Sequence, residues 1–386
     1  RDSDVVRSSL MDCVCQTQRV AEVIAEHDYE KAMAMRGGSF SESFRILRTL
    51  LRAKPHAPEP GHKQLRLAVF HSGGPAPGMN TAVRAAVRLG MDRGHRMFAV
   101  RNGVQGLLDG DLHEMDWMST SGWGSRGGAE VGTSRKAPKG RDFYAIARQL
   151  EAHQIDGLLM IGGWTGYETA YQLFRRRTDF LAFDMPIVCL PATINNHLPG
   201  SQLSIGADTA LNNIIENVDK IKESAVASRR CFVVEVMGRD CGYLALLSGL
   251  ATGAERVYLP EEGVSLADLQ VDVTNLVQGF AHGKRLGLMI RNENVDPLYT
   301  ADFMGALFEK EGGDLFDVRK AILGHVQQGG NPSPFDRIQA IRLAAHSIRF
   351  LIEEVGKESP QVVAIGLQGG HVEFTSLENL PRLLEK

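Results

Sequence analysis

Three glycine-rich loops are the segments of the sequence with the clearest potential for chemistry. They cover residues 72–80, 162–166 and 324–330, and each follows a short apolar run that predicts a β-strand. The backbone amides of such loops, and the N-termini of the helices that follow them, bind anions such as phosphate. The loops therefore predict an anion site where strands end. Taken alone, each loop is equally typical of a tight turn that binds no ligand.

The glycine spacing excludes the two commonest nucleotide-binding motifs. A dinucleotide fold carries GxGxxG after its first strand, whereas the first loop here reads Gly73-Gly74-x-x-x-Gly78. The sequence also lacks the GxxxxGK motif followed by Ser or Thr that cradles nucleotide phosphates in P-loop proteins. Any phosphate site in this chain must be built differently.

The elements that would position these loops alternate along most of the chain. Short apolar runs follow amphipathic helical patterns, as in parallel sheets covered by helices on both faces. We predict an α/β fold with two parallel-sheet, Rossmann-like lobes facing one cleft. The predicted strands are 65–70, 97–100, 157–161, 186–190, 232–236, 257–259, 286–290, 321–323 and 362–365, and the main helices are 142–153, 210–225, 265–280 and 336–355.

The first part of the chain follows a different pattern. Residues 8–54 show helical spacing interrupted at Gly37-Gly38, and residues 54–61 contain three prolines and a glycine. A segment so poor in backbone donors suits neither a helix nor a central strand. We predict a helical connector and proline-rich linker over residues 1–62. Because the first residue is Arg1 and the first methionine is Met11, we expect the chain to begin inside a longer protein.

Net charge, cysteine content and the lengths of the apolar runs argue against several classes of protein. The 43 Lys and Arg residues against 46 Asp and Glu give a net charge of −3, so no global basic field recruits nucleic acid or an anionic membrane. The five cysteines are scattered and form no CxxC pair, which favours a reducing, cytoplasmic compartment. No apolar run approaches the roughly 20 residues that span a bilayer. We expect a cytoplasmic protein without nucleic-acid or membrane partners.

The loops taken together resemble the phosphofructokinase family from about residue 64 to residue 350. The resemblance includes Pro191-Ala192-Thr193-Ile194-Asn195-Asn196-His197 and the Met237-Gly238-Arg239 turn in addition to the three glycine-rich loops. It implies the glycolytic phosphoryl transfer from ATP to fructose 6-phosphate, with Mg²⁺. It also implies one phosphofructokinase-like domain over residues 63–386, with lobe A formed by 63–206 and 327–358 and lobe B by 207–326 and 359–386.

The sequence departs from the catalytic members at the positions that carry their chemistry. Those members read GGDAPGMN, GGDGS and PGTIDND in the first three loops. Here Pro75 and Trp164 replace two aspartates, Asn195 replaces the general base, and His197 replaces a second acidic position. Loss of general-base help costs a factor of roughly 10² to 10⁴ in rate. We therefore predict no catalytic residue, no bound metal and no cofactor in this chain.

The departures match the C-terminal, regulatory halves of tandem-duplicated animal and fungal enzymes. These halves are similar to this chain in reading GG-aromatic, PAT-x-x-N and GHMQQGG, and the opening segment resembles the connector between halves. The resemblance implies an N-terminal catalytic half in the same polypeptide, which would use ATP and Mg²⁺, and assembly into a tetramer.

The positions that grip a phosphorylated sugar mostly remain, and the resemblance implies fructose 2,6-bisphosphate or a related sugar phosphate as ligand. Arg239 stands where animal regulatory halves carry glycine. The family's equivalents of Arg230 and Arg319 reach in from a neighbouring subunit. The expected effector-binding residues are Arg135, Thr193, Asn195, Asn196, Arg230, Met237, Gly238, Arg239, Glu293, Arg319, His325 and Gln328, with Gly73, Gly74, Gly162 and Gly163 as remnants of the phosphate loops.

Two other interpretations stay open. The chain could be an active phosphotransferase on fructose 6-phosphate that uses another base, such as His197. It could also be a structural half that binds nothing and holds the tetramer together. The retained arginines speak against the second interpretation, because buried charges without a partner cost desolvation energy. Each of these residues by itself has a plainer interpretation, such as a solvated surface charge or a helix cap.

Overall fold

The first of two compact units consists of short helices. The structure is a computed structural model that describes residues 16–226 and 228–380, and its contacts divide the chain into Arg1–Lys54 and Pro55–Lys386. Within the first unit, α1 includes residues 16–25, α2 is Tyr29–Ala34 and α3 is Gly38–Arg52. Gly37, at φ +100°, separates α2 from α3 as the glycine pair predicts. The predicted segment 1–15 lies outside the described residues.

The proline-rich segment belongs to the second unit, contrary to the prediction of a connector ending at residue 62. The backbone N–H of His56 donates to the carbonyl of Met91 at 3.1 Å. A side chain at Gly94 would lie 2.6 Å from Pro58, so the segment packs directly on the turn around residue 94. Its prolines lack donors, but they pack well against a surface.

The second unit alternates strands and helices. In chain order its strands are β1 (Arg66–Ser72), β2 (Arg96–Val100), β3 (Leu112–Met115), β4 (Gly157–Gly162), β5 (Ile187–Pro191), β6 (Arg230–Val236), β7 (Arg256–Tyr258), β8 (Leu286–Asn292), β9 (Asp317–Ile322), β10 (Val362–Gln368) and β11 (His371–Ser376). Its α-helices are α4 (Met79–Asp92), α5 (Val104–Asp109), α6 (Asp142–Ala152), α7 (Trp164–Arg175), α8 (Ala207–Val226), α9 (Tyr243–Thr252), α10 (Leu266–Ala281), α11 (Ala301–Gly312) and α12 (Pro334–Glu354).

These strands form two sheets, as predicted. The larger sheet has the order β11-β10-β5-β4-β1-β2-β3, and the smaller has the order β7-β8-β6-β9. All pairs are parallel except β2–β3 and β10–β11 at the two edges of the larger sheet. Every residue of β4 is buried, which explains its unbroken apolar run. The α/β fold with parallel sheets is confirmed.

The last strands correct the predicted division into lobes. Residues 359–386 were expected in lobe B, yet β10 pairs with β5 and β11 pairs with β10 in the larger sheet. Periodicity identifies a strand but not its sheet, because pairing is decided by contacts with distant residues. Strand β9 also begins at residue 317, four residues before the prediction. The edge strands β3 and β11 were not predicted because their exposed positions are polar.

The two lobes are braced where α8 and α12 begin. Asp336, in the first turn of α12, is fully buried and accepts hydrogen bonds from Gly206 N at 2.9 Å and Thr209 N at 2.8 Å. The hydroxyl of Thr209 donates to the same carboxylate at 2.5 Å. Burial raises the pKa of Asp336, against the opposing effect of these donors. This carboxylate therefore satisfies N–H groups at the start of α8 that would otherwise be unpaired. No helix in the described ranges is long and apolar enough to cross a membrane.

Candidate functional site

A cleft of about 600 Å³ lies at the carboxyl ends of strands from both sheets. Parallel strands end at one edge of a sheet, so loops far apart in sequence meet there. The loops after β1, β4, β5, β6, β8 and β9 all contribute. The residues that line the cleft are Gly73, Gly74, Pro75, Arg135, Gly163, Trp164, Thr165, Thr193, Ile194, Asn195, His197, Met237, Arg239, Asp240, Glu293, His325 and Gln328.

The cleft brings together most of the residues singled out in the sequence, but not all of them. Five of the expected residues do not line the cleft: Gly162, Asn196, Arg230, Gly238 and Arg319. The cleft also contains Thr165 and Asp240, which the sequence analysis left out of the site. Their positions next to Trp164 and Arg239 were the only signal that could have found them.

The first two glycine-rich loops pack backbone against backbone. Gly163 N of the second loop donates to the Ser72 carbonyl of the first at 3.0 Å, and Gly73 N of the first loop donates at 2.9 Å to the carbonyl of Ser134, which lies outside both loops. A Cβ on Gly162 would lie 2.0 Å from the Ser72 oxygen, closer than atoms can approach. Gly162 is thus required by this close approach, although it does not line the cleft. The loops are held rigidly at the cleft's edge.

The N-terminus of α7 opens into the cleft. Trp164 and Thr165 are the first residues of this 12-residue helix, and Gly163 before them supplies no side-chain cap. The first N–H groups of a helix have no intrahelical partner, and the helix dipole makes this end attractive to anions. Arg135 lines the same cleft, and its Nη2 would lie 3.5 Å from a Cβ on Gly74. These groups together can hold one phosphate.

Trp164 and His197 form an aromatic wall. Their ring centroids are 6.3 Å apart with the planes at 35°, and Trp164 also packs on the core of the larger sheet. Burial lowers the pKa of His197, and the charge of Arg239 lowers it further, while Asp240 opposes the shift. The imidazole is therefore neutral at pH 7. Its Nδ1 is buried and has no hydrogen-bond partner among the described residues.

Glu293 organises the loop after β6. Its Oε1 accepts hydrogen bonds from Gly238 N at 3.2 Å and from Arg239 N at 3.0 Å. Arg239 has φ +51°, in the left-handed region that side chains other than glycine rarely adopt. A Cβ on Gly238 would lie 2.5 Å from the Cys241 oxygen, which excludes other residues there. Glu293 thereby fixes the backbone at Arg239, whose side chain lines the cleft.

Asn196 serves its own loop rather than the cleft. Its Oδ1 accepts from Ser204 N at 2.8 Å and from the Ser204 hydroxyl at 3.0 Å, and its Nδ2 donates to the Gln202 carbonyl at 3.0 Å. Its φ of +54° is one that asparagine tolerates better than most residues. Both ends of the Asn196 amide are engaged in these hydrogen bonds, so the side chain is turned to its own loop and does not line the cleft.

Arg230 and Arg319 lie towards the other end of the smaller sheet. Arg230 is the first residue of β6, roughly 20 Å along the strand from its carboxyl end. Both guanidinium groups are directed towards Asp317: Arg230 Nε lies 3.9 Å from Asp317 Oδ2, and Arg319 Nη2 lies 3.5 Å from the same atom. Neither side chain lines the cleft of its own chain. Any phosphate that they bind must come from another direction.

The acidic groups of the cleft do not fit a magnesium nucleotide. Its carboxylates are Asp240 and Glu293, and each already accepts a hydrogen bond from a neighbouring loop. Within the ranges that the structure describes, no group of three or more His, Cys, Asp or Glu side chains is placed to hold a metal ion. Trp164 supplies bulk without oxygen ligands. The donors that remain, Arg135, Arg239 and His325, suit an anion.

The fold and the site define a two-lobed α/β protein whose cleft is lined by side chains suited to an anion. Residues 66–351 match the phosphofructokinase family, and the chain belongs to that family. It is 42% identical over 98% of its length to the ATP-dependent 6-phosphofructokinase of Dictyostelium discoideum. It is 40% identical over 92% of its length to the muscle-type enzyme of Oryctolagus cuniculus. The chain spans 45% of each of these relatives.

Solved structures agree with the sequence comparison. The chain superposes on Pichia pastoris phosphofructokinase in the T-state with a TM-score of 0.90 and 36% identity, over 96% of this chain and 44% of that one. The Saccharomyces cerevisiae phosphofructokinase gives a TM-score of 0.91 and 34% identity, over 96% and 52%. The chain therefore has the phosphofructokinase fold and accounts for about half the length of these relatives.

Proposed function

We propose that this chain is the regulatory, sugar-bisphosphate-binding half of an ATP-dependent 6-phosphofructokinase, the glycolytic enzyme that phosphorylates fructose 6-phosphate to fructose 1,6-bisphosphate. One observation carries the proposal. The cleft retains cationic and amide donors, while a tryptophan and an amide stand where the resemblance puts the catalytic carboxylates. The ligand that this half binds is fructose 2,6-bisphosphate, and the reaction itself belongs to the other half of the polypeptide.

The donors are arranged for a ligand with two anionic ends. Arg135 and the α7 N-terminus can bind one phosphate, and His325 on the loop after β9 can bind the other. A charge-assisted hydrogen bond contributes roughly 1.5 to 3 kcal/mol. Thr193, Asn195 and the second oxygen of Glu293 are left to pair with sugar hydroxyls. No described residue forms an ion pair with the Arg135 guanidinium, which leaves it free for the ligand.

The same residues argue against turnover. The Asn195 amide cannot accept a proton from the sugar hydroxyl, and loss of a general base costs a factor of roughly 10² to 10⁴. The two carboxylates of the cleft, Asp240 and Glu293, each already accept a hydrogen bond from a neighbouring loop, and no third carboxylate among the described residues lines the cleft to complete a metal site. Phosphoryl transfer needs both a metal that neutralises charge and a positioned acceptor for the proton. We expect no measurable kinase activity from this half.

Partner contacts complete the proposal. Arg230 and Arg319 do not line their own cleft, and a phosphate in the cleft of a neighbouring subunit would take the place of Asp317 as their anionic partner. We propose a homo-oligomer, a tetramer of the full polypeptide, in which such contacts link ligand binding to quaternary state. A ligand shifts that equilibrium only if it binds one state better than another. The N-terminal catalytic half would respond to this shift.

Calorimetric titration tests the proposal. Fructose 2,6-bisphosphate, fructose 6-phosphate and Mg-ATP are titrated in parallel, at one salt concentration, into the chain and into the full polypeptide. We expect saturable binding of the bisphosphate to both samples and no binding of Mg-ATP to the isolated chain, whereas the catalytic half of the full polypeptide binds Mg-ATP. Arg135→Ala should weaken the bisphosphate at least tenfold, whereas Lys139→Ala, an exposed cation outside the cleft, should not. Binding of Mg-ATP but not of the bisphosphate by the isolated chain would overturn the proposal, and absence of bisphosphate binding in both the chain and the full polypeptide would favour the structural half.

A phosphotransferase that uses His197 is the second candidate. The observation that favours it is a neutral imidazole that lines the cleft, since one nitrogen of a neutral imidazole can accept a proton. Mg-dependent turnover of fructose 6-phosphate, lost in His197→Gln but kept in His113→Gln at an exposed edge strand, would establish it. Absence of turnover while the bisphosphate still binds would exclude it.

A further inference from the structure

Both ends of the Gln328 side chain are engaged, and they join two loops. Its Nε2 donates to the carbonyl oxygen of Pro75 at 2.8 Å, and its Oε1 lies 3.0 Å from Nδ1 of His325. Pro75 belongs to the loop after β1 of the larger sheet, whereas Gln328 and His325 follow β9 of the smaller sheet. One amide thus connects the two lobes at the edge of the cleft.

The chemistry of these partners determines where the protons lie. A carbonyl oxygen can only accept a hydrogen bond, so the NH₂ end of Gln328 must face Pro75. The Oε1 end therefore faces His325, and since this oxygen also only accepts, Nδ1 of the imidazole must carry a proton. Neutral imidazole in water favours the opposite tautomer, with the proton on Nε2. Gln328 reverses that preference and leaves Nε2 directed away from itself.

The space for this contact is made by Gly74. A Cβ at Gly74 would lie 2.7 Å from Gln328 Nε2, so any other residue displaces the amide. The φ of Gly74 is not in the positive range, so the backbone conformation there does not itself require glycine. The absence of a side chain at Gly74 therefore has a specific use, which is to let Gln328 reach Pro75.

We propose that Gln328 is a positioning residue of this cleft, which fixes the Nδ1–H tautomer of His325 and presents Nε2 to a phosphate of the ligand. This rests on the proposed sugar-bisphosphate site. The proton between Nε2 and the ligand is brought by a monoprotonated phosphate, which donates it to Nε2, while Nδ1 keeps its own proton and donates it in a hydrogen bond to Gln328 Oε1. The ligand therefore meets an imidazole whose orientation and tautomer are set before binding, which lowers the cost of ordering it.

The spectroscopic test needs no ligand. Nitrogen chemical shifts of ¹⁵N-histidine distinguish the two tautomers, and His325→Gln assigns the signal among the 12 histidines. We expect Nδ1–H in the wild-type chain at pH 8, and a return to predominantly Nε2–H in Gln328→Met, which keeps the side-chain length but offers neither bond. Gly74→Ala should have the same effect, because the displaced amide is the flexible end of a side chain. Gln172→Met, on α7, is the control and should change nothing.

Affinity for fructose 2,6-bisphosphate in the full polypeptide gives the second measurement. Gln328→Met and Gly74→Ala should each weaken binding roughly tenfold, and in the His325→Gln background Gln328→Met should add little further loss. An Nε2–H signal in the wild-type chain would overturn the proposal, and so would an unchanged tautomer in Gln328→Met. If the tautomer behaves as expected but no chain binds the bisphosphate, the proposed ligand is wrong while the role of Gln328 in setting the tautomer stands.

Discussion

Replacing Arg239 with glycine should raise the stability of the fold and, at the same time, lower the affinity for fructose 2,6-bisphosphate. Arg239 is held at φ +51° by the two bonds that Glu293 accepts from the loop. A side chain in this region costs roughly 1–2 kcal/mol that glycine does not incur. The greater flexibility of glycine in the unfolded chain offsets roughly 0.5–1 kcal/mol of that gain. The expected net stabilisation is therefore about 0.5–1 kcal/mol, or roughly 1–2 °C in Tm for a unit of this size.

The affinity of Arg239→Gly for fructose 2,6-bisphosphate should fall. Arg239 lines the cleft, and no described carboxylate forms an ion pair with its guanidinium. Losing one charge-assisted hydrogen bond of roughly 1.5–3 kcal/mol lowers the affinity for fructose 2,6-bisphosphate by about 10- to 100-fold. The charge of Arg239 also contributes to the lowered pKa of His197, so that pKa should rise in the variant. Histidine NMR titration measures this third effect independently of the ligand.

Arg239→Ala separates the two causes. It removes the charge but keeps a side chain at the same φ, so its affinity should match that of Arg239→Gly while its stability should not rise. Urea unfolding and thermal melts of the three proteins measure stability, and calorimetry measures affinity. Equal stability of the Gly and Ala variants would refute the argument from backbone strain. Wild-type affinity in both variants would show that Arg239 does not bind the anion.

Three further outcomes follow from buried groups. Burial lowers the pKa of His71 to about 4, so the unfolded chain takes up a proton first as pH falls below about 6.5. The free energy of unfolding should therefore fall by up to about 3 kcal/mol by pH 4. Urea unfolding of His71→Gln should lack this part of the pH dependence, and an unchanged dependence of the unfolding free energy on pH would contradict the argument. Asp336→Asn keeps one acceptor oxygen but turns an NH₂ group towards at least one of the three donors, so it should lower the free energy of unfolding by roughly 1–3 kcal/mol in urea, whereas the exposed Asp314→Asn should change it little. Gly162→Ala should lower the free energy of unfolding by several kcal/mol or abolish folding, because its Cβ would lie 2.0 Å from the Ser72 oxygen. Gly329→Ala, whose Cβ would have its nearest neighbour at 3.9 Å, should retain the wild-type Tm. Equal Tm values for the two variants would refute the steric argument.

Local patterns in the sequence were enough to predict the two parallel sheets and the position of the cleft. A buried parallel strand is an uninterrupted apolar run, and its carboxyl end is marked by glycine where two backbones approach, as at Gly162 and Ser72. Because parallel strands end at the same edge, loops read separately along the chain could be expected to meet. The residue types in those loops then indicated an anion, since arginines and amides remain where carboxylates are missing.

Only the tertiary structure decided which of these residues meet. Strands β10 and β11 belong to the larger sheet because β10 pairs with β5, a contact between segments about 175 residues apart along the chain that periodicity does not encode. Arg230 and Arg319 resemble in type the other arginines that were expected to bind phosphate, yet they lie along strands away from the cleft and are directed towards Asp317. Asn196 is used by its own loop, and the contact of Gln328 with Pro75 joins residues from two sheets. In each case the side chain's role depends on the direction in which the folded backbone points it, and that direction is determined by pairing between residues distant in sequence.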